Sequence, residues 1–260
     1  MLAPRRFLLC AEDSLSALLA RDLCDRVLRE RAAHEWLRAL CEPAMIEAQR
    51  VWVGLNGHAW WADRMALDRA VEAHGLDIAV RDPVTGRRVA PHGKALMAFK
   101  AARVAEVLED IALAVVAADT DGIRDEKQSF AHGLALREPR IAVLCAAIER
   151  ESEAWVISGF VARNNAERDD LRAITEALGF DPTLHSERLM SDRAHDVRDA
   201  KRVARALFER SGGAIARNER FCACWQETDL DTLIARGQHN GMSRFIADIL
   251  RIVVPVLSAR

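Results

Sequence analysis

The sequence has no long hydrophobic run. No stretch reaches the roughly 18 uncharged apolar residues that a membrane helix needs, so no membrane partner is expected. Met1-Leu-Ala-Pro-Arg-Arg is followed by a short apolar run that Glu12 and Asp13 end, too brief for a signal sequence. A cytoplasmic location is the expectation. Lysine is scarce: Lys94, Lys100, Lys127 and Lys201 are the only four among 37 basic residues. That skew fits genome composition better than function. Excess charge is lacking too. With 39 acidic residues the formal net charge is −2, which excludes a global basic field for holding DNA or a membrane. Any nucleic-acid contact must come from a local patch, a metal or a partner. The best local patch is Arg81, Arg87, Arg88, Lys94, Lys100 and Arg103, suited either to steering a phosphodiester or to forming a solvated loop face.

Several catalytic signatures are also missing. Of six cysteines, Cys222-Ala-Cys224 forms a CxC pair rather than CxxC, and no second pair stands at zinc-finger spacing. Reduced thiols are the simpler reading. The histidines form no HExxH, and Ser158-Gly159 lacks the flanking pattern of a nucleophile elbow. Gly86 to Lys94 looks like a P-loop only superficially: the glycines are too far apart, and Ala95 follows the lysine where Ser or Thr is required. ATP hydrolysis would therefore need a partner chain.

What is present is an alternation of buried strands and helices. At 260 residues and half apolar, the chain can bury a full core. Phe7–Ala11, Ile111–Ala118 and Ile141–Ile148 are uninterrupted apolar runs, the pattern of parallel strands covered on both faces. Val51–Leu55 adds a short strand. Ser14 is the expected N-cap of a helix reaching about Ala33, with a shorter helix over His34–Leu40. Further helices are expected over Asp63–His74 and Lys94–Asp110. From Ser152 onward the pattern is helical over 152–163, 168–178, 195–209, 229–235 and 241–258. The expected fold is α/β, an open parallel sheet flanked by helices with a mostly helical C-terminal part. The division expected is an α/β metal-binding core over 1–165 and a helical extension packed on it over 166–260.

Each buried strand ends in acids: Glu12 after the first, Asp119-Thr-Asp121-Gly122 after the second, and Glu149, Glu151 and Glu153 after the third. Ligands in parallel sheets bind beyond the carboxyl ends of the strands. Carboxylates gathered there repel one another and call for a counter-charge. Hard oxygen donors without Cys or His favour Mg²⁺ or Mn²⁺. Asp119 and Asp121, with one residue between them on an extended end, point the same way.

A strand ending in Glu and leading into a helix, then a later strand ending Asp-x-Asp, resembles the Toprim domain of topoisomerases, primases and the overcoming-lysogenisation-defect nucleases. The likeness extends to a Toprim-like family of small bacterial proteins often encoded beside an ATPase. Their Glu-Ala-Trp signature is matched by Glu153-Ala-Trp155, the most specific piece. Their later turn and lysine are matched by His185-Ser-Glu187 and Lys201, and their terminal helices by Leu230–Leu233 and Asn240–Asp248. The family usually carries an acidic residue where Ser16 stands here. The resemblance implies that Asp119 and Asp121 hold the metal, that Glu12 ligates it or acts as general acid/base, and that Glu153 adds a ligand. Lys201 would offset phosphate charge in the transition state. The implied function is cleavage of DNA, or less readily RNA, in anti-phage defence with a separately encoded ATPase; homo-oligomerisation is left open. The rival reading is a non-catalytic module of an ATPase complex. Trp155 is expected to be core rather than a base-stacking platform.

Overall fold

A computed structural model of the chain describes residues 4–42, 45–55, 60–81, 88–89, 93–120, 140–190, 196–208 and 214–259. Strands β1 (Arg5–Ala11), β2 (Arg50–Val53), β5 (Ile111–Asp119) and β6 (Ala142–Ile148) form an open, all-parallel sheet in the order β2-β1-β5-β6. Two short strands, β3 (Val80–Arg81) and β4 (Arg88–Val89), pair antiparallel as a separate ribbon. The expected α/β class and open parallel sheet are both found. Phe7 through Ala11 and Leu113 through Ala118 are fully buried, which is why both strands read as continuous apolar runs.

The chain divides into two compact units. The first holds the described residues of 1–118, 123–147 and 245–260, and the second those of 119–122 and 148–244. In the first unit, β1 leads into α1 (Ser14–Arg31), followed by α2 (Glu35–Leu40). The N-cap of α1 is Asp13 rather than Ser14: its carboxylate accepts the Ser16 N–H at 2.8 Å. An Asp with extended backbone is at least as good a cap as Ser, and the acid just after Glu12 takes that role. Helices α3 (Arg64–Ala73) and α4 (Gly93–Val107) complete this unit's main layer. Leu8, Cys10, Ala114 and Val116 pack with Leu67, Met97, Ala98 and Val104 in one core cluster. Each large aliphatic side chain buried there contributes about 1.5–3 kcal/mol. Alternation along β1 turns Phe7 and Leu9 to the other face, where Phe7 meets Trp52 edge-on at 5.4 Å. Burial pushes the Cys10 thiol up to about 12, and Cys10, Cys24, Cys41, Cys145 and Cys224 are free thiols.

The second unit is built from α5 (Ser152–Ser158), α6 (Asn165–Leu178), α7 (Ala200–Phe208), α8 (Ala214–Glu227) and α9 (Leu230–Arg236). Helix α8 is absent from the pattern read along the sequence, and Cys224, in the CxC pair, is one of its buried residues. Trp155 and Trp225 are fully buried or nearly so and stack at 6.3 Å, so Trp155 is core, as expected. The final helical stretch runs from α10 (Met242–Asp248) through a π-helical turn, Ile249–Val253, into α11 (Val254–Ser258). Pro255 explains the widened turn: it has no N–H for the carbonyl four residues back, and its ring crowds that position. Among the described residues no helix is long and apolar enough to cross a membrane.

Candidate functional site

Asp119 closes β5, and the chain turns at once: the buried Thr120 donates its N–H to the Ile148 carbonyl at 2.8 Å. This brings the end of β5 against the start of the Glu149–Ser152 turn. Ser152, the first residue of α5, donates its hydroxyl to Asp119 Oδ1 at 3.0 Å and so fixes how that carboxylate is turned. One residue earlier Glu151 points inward and is only 5% exposed. Its Oε1 accepts from Lys201 Nζ at 3.1 Å, whereas its buried Oε2 has no hydrogen-bond partner. Lys201 lies at the start of α7, one residue after Ala200, and its own side chain is exposed.

The electrostatics tie these groups together. Burial raises the Glu151 carboxyl above its ordinary range, the Lys201 hydrogen bond and charge pull it back in part, and Glu153 and Asp199 push it up again. For Lys201, burial works against the ammonium. The Glu151 hydrogen bond and the charges of Glu151, Glu153 and Asp119 outweigh it, so the group lies above the ordinary lysine value. One cation thus sits in the field of Asp119, Glu151 and Glu153. Glu153 occupies the first turn of α5, where the helix dipole also favours an acid.

Of the residues singled out in the sequence, Asp119, Glu153 and Lys201 come together. Asp121 lies outside the described residues. Glu12 belongs to the first unit: it follows β1, donates its N–H to the Ala117 carbonyl at 3.1 Å, and has its exposed carboxylate paired with the Lys94 ammonium. Lys94 thus supplies a counter-charge to Glu12. Of the basic patch, Lys94, Lys100 and Arg103 are paired with Glu12, Asp68 and Glu106. Arg87 lies outside the described residues. Ser16, at the position where the Toprim pattern has an acid, is fully buried in α1.

Two contributors were missed or undervalued. Ser152 carried no signal beyond its place in a polar turn. Glu151 was ranked below Glu153, because three acids at alternate positions look alike until the turn is known. That turn depends on Arg150, which adopts a left-handed φ of +74° although it is not glycine. Its guanidinium is held by the Glu187 carbonyl at 3.2 Å.

The donor set suits a hard cation: carboxylate oxygens, one of them buried without a partner, and no Cys or His at the cluster. Among the described residues, however, no three such groups are arranged to enclose an ion. No family model, no curated protein and no solved structure matches this chain.

Proposed function

We propose that this chain is a Toprim-like, Mg²⁺- or Mn²⁺-dependent phosphodiesterase that cleaves DNA or RNA, working in bacterial anti-phage defence beside an ATPase encoded separately. The observation that carries this reading is the carboxylate of Asp119, held by Ser152 at the end of a central parallel strand, in the field shared by Lys201, Glu151 and Glu153. Asp119 and Asp121 would hold the ion, with Glu153 adding an oxygen. The bound ion would supply an activated water and charge for the leaving oxygen. Ser152 orients Asp119, and Lys201 meets the negative charge of a phosphodiester. Glu12 is assigned its role as ligand or general acid/base on the resemblance alone.

The test is nicking of plasmid DNA, and of RNA, by purified protein with Mg²⁺ or Mn²⁺. Asp119→Ala should abolish cleavage and leave the thermal midpoint nearly unchanged. Cleavage that survives this substitution overturns the assignment.

Two observations favour the rival, a non-catalytic module of an ATPase complex: Lys94 pairs with Glu12, and Ser16 offers no carboxylate. Under that reading the protein cleaves nothing with any divalent ion and co-purifies with an ATPase.

A further inference from the structure

Asn240 is fully buried in the second unit, and its backbone carbonyl and both ends of its side-chain amide are engaged. Its backbone carbonyl accepts twice, from the Glu149 N–H at 2.9 Å and from the Trp155 indole N–H at 2.8 Å. Its side-chain Nδ2 donates to the hydroxyls of Ser158 and Ser186, both at 2.9 Å. Its Oδ1 accepts the Met242 N–H at 3.1 Å. The two serine hydroxyls also touch each other at 3.0 Å, and both are completely buried. A buried amide with all its bonds made is rigid, because breaking any one leaves a polar group unpaired at about 1–3 kcal/mol.

The positions of these contacts along the chain give them meaning. Glu149 precedes and Trp155 follows the pair Glu151–Ser152, which contacts Lys201 and Asp119. Between them lies Arg150, whose left-handed backbone costs about 1–2 kcal/mol for a residue with a Cβ. Such a conformation persists only when its surroundings impose it. Asn240 pins the turn on one side, and the Glu187 carbonyl, bonded to Arg150 Nε, pins it on the other.

We infer that Asn240 is a positioning residue that aims Glu151 at Lys201 and Ser152 at Asp119. It touches none of the reacting groups and acts through the Glu149–Ser152 turn. The catalytic part of this inference rests on the proposed phosphodiesterase reading; the structural part does not.

The experiment uses the full chain with Asn240→Ala, and Ser186→Ala as a milder variant that removes one partner of the amide. Native-state hydrogen exchange is followed at the Glu149 amide and the Trp155 indole N–H. Both should exchange at least about tenfold faster in Asn240→Ala, as expected on losing about 1.4 kcal/mol of local restraint, while amides of β5 keep their protection. Ser186→Ala should show the same pattern, weaker. In the cleavage assay kcat should fall by about 10²-fold with KM within a few-fold, the signature of misaligned groups rather than lost binding. The inference is overturned if both sites keep wild-type protection, or if protection falls equally in β5, which marks global loosening. It is also overturned if exchange accelerates while kcat is unchanged. Should the wild type cleave nothing, the phosphodiesterase reading fails, and the exchange data still decide whether Asn240 holds the turn.

Discussion

Lys201 donates to Glu151 across 3.1 Å, joining an exposed ammonium to a carboxylate that is 5% exposed. The pair is lopsided: the anion bears most of the desolvation. The net effect on Glu151 is a raised pKa despite its partner, so the folded environment disfavours its charge.

That asymmetry predicts the behaviour of Glu151→Gln. A carboxyl whose folded pKa is raised destabilises the fold once pH exceeds its unfolded value, and the penalty grows until pH passes the folded one. At pH 7 the amide removes that penalty and leaves behind a lysine that water can solvate. The variant should be within about 1 kcal/mol of wild type or more stable. The advantage should shrink as pH falls through the ordinary carboxylate range. Thermal midpoints at pH 7 and pH 4.5 measure both; a large loss of stability at pH 7 would refute this account of the pair.

Lys94→Met separates the two functional readings. The Glu12 carboxylate is exposed, so losing its partner should alter stability by less than about 1 kcal/mol. If Glu12 serves a divalent ion, removing the competing ammonium should tighten Mn²⁺ binding by severalfold. Calorimetric titration with Mn²⁺ would reveal this. Unchanged affinity, or none in either protein, favours the non-catalytic module.

The sheet was legible because burial on both faces leaves an unmistakable mark: Phe7–Ala11 and Leu113–Ala118 contain no polar residue. Helix α8 was less so. Phe221, Cys224 and Trp225 keep helical spacing on its buried side, but the preceding Ser211-Gly-Gly213 reads as a break. The acids at the strand ends were visible, yet their counter-charges were not. Lys94 lies 82 residues from Glu12 and Lys201 lies 50 from Glu151, and no local pattern announces such pairs. Nor does a sequence reveal that an arginine will turn left-handed and send Glu151 inward.

Gly237 begins the turn that presents Asn240. A Cβ there would stand 2.7 Å from Met242 Cβ and 2.8 Å from the Leu233 carbonyl oxygen, closer than atoms tolerate. The carbonyl belongs to α9 and cannot swing away as a flexible side-chain tip would. Gly237→Ala should cost about 1–3 kcal/mol, read from urea unfolding. If Asn240 holds the Glu149–Ser152 turn, the same substitution should also speed exchange at the Trp155 indole. Wild-type stability would mean that this turn relaxes freely.

The most severe loss of stability is expected in the first unit, at Arg50. Arg50 is 6% exposed, and its guanidinium meets both oxygens of Asp25 and lies 5.4 Å from the centre of the Trp52 ring. Burial raises the Asp25 carboxyl, and Arg50, through hydrogen bonds and charge, holds that rise in check. Arg50→Met keeps the apolar stem over the ring but strands the carboxylate. The cost at pH 7 should be about 3 kcal/mol. Without its cation Asp25 shifts further upward, so the folded variant retains a proton that the unfolded chain releases, and stability falls as pH rises between those two values. The deficit should therefore be largest near neutrality and diminish on acidification towards pH 5. Urea midpoints of wild type and variant at both pH values test the sign. A deficit that stays constant or widens at pH 5 would mean that lost packing on Trp52, rather than a stranded carboxylate, accounts for the instability.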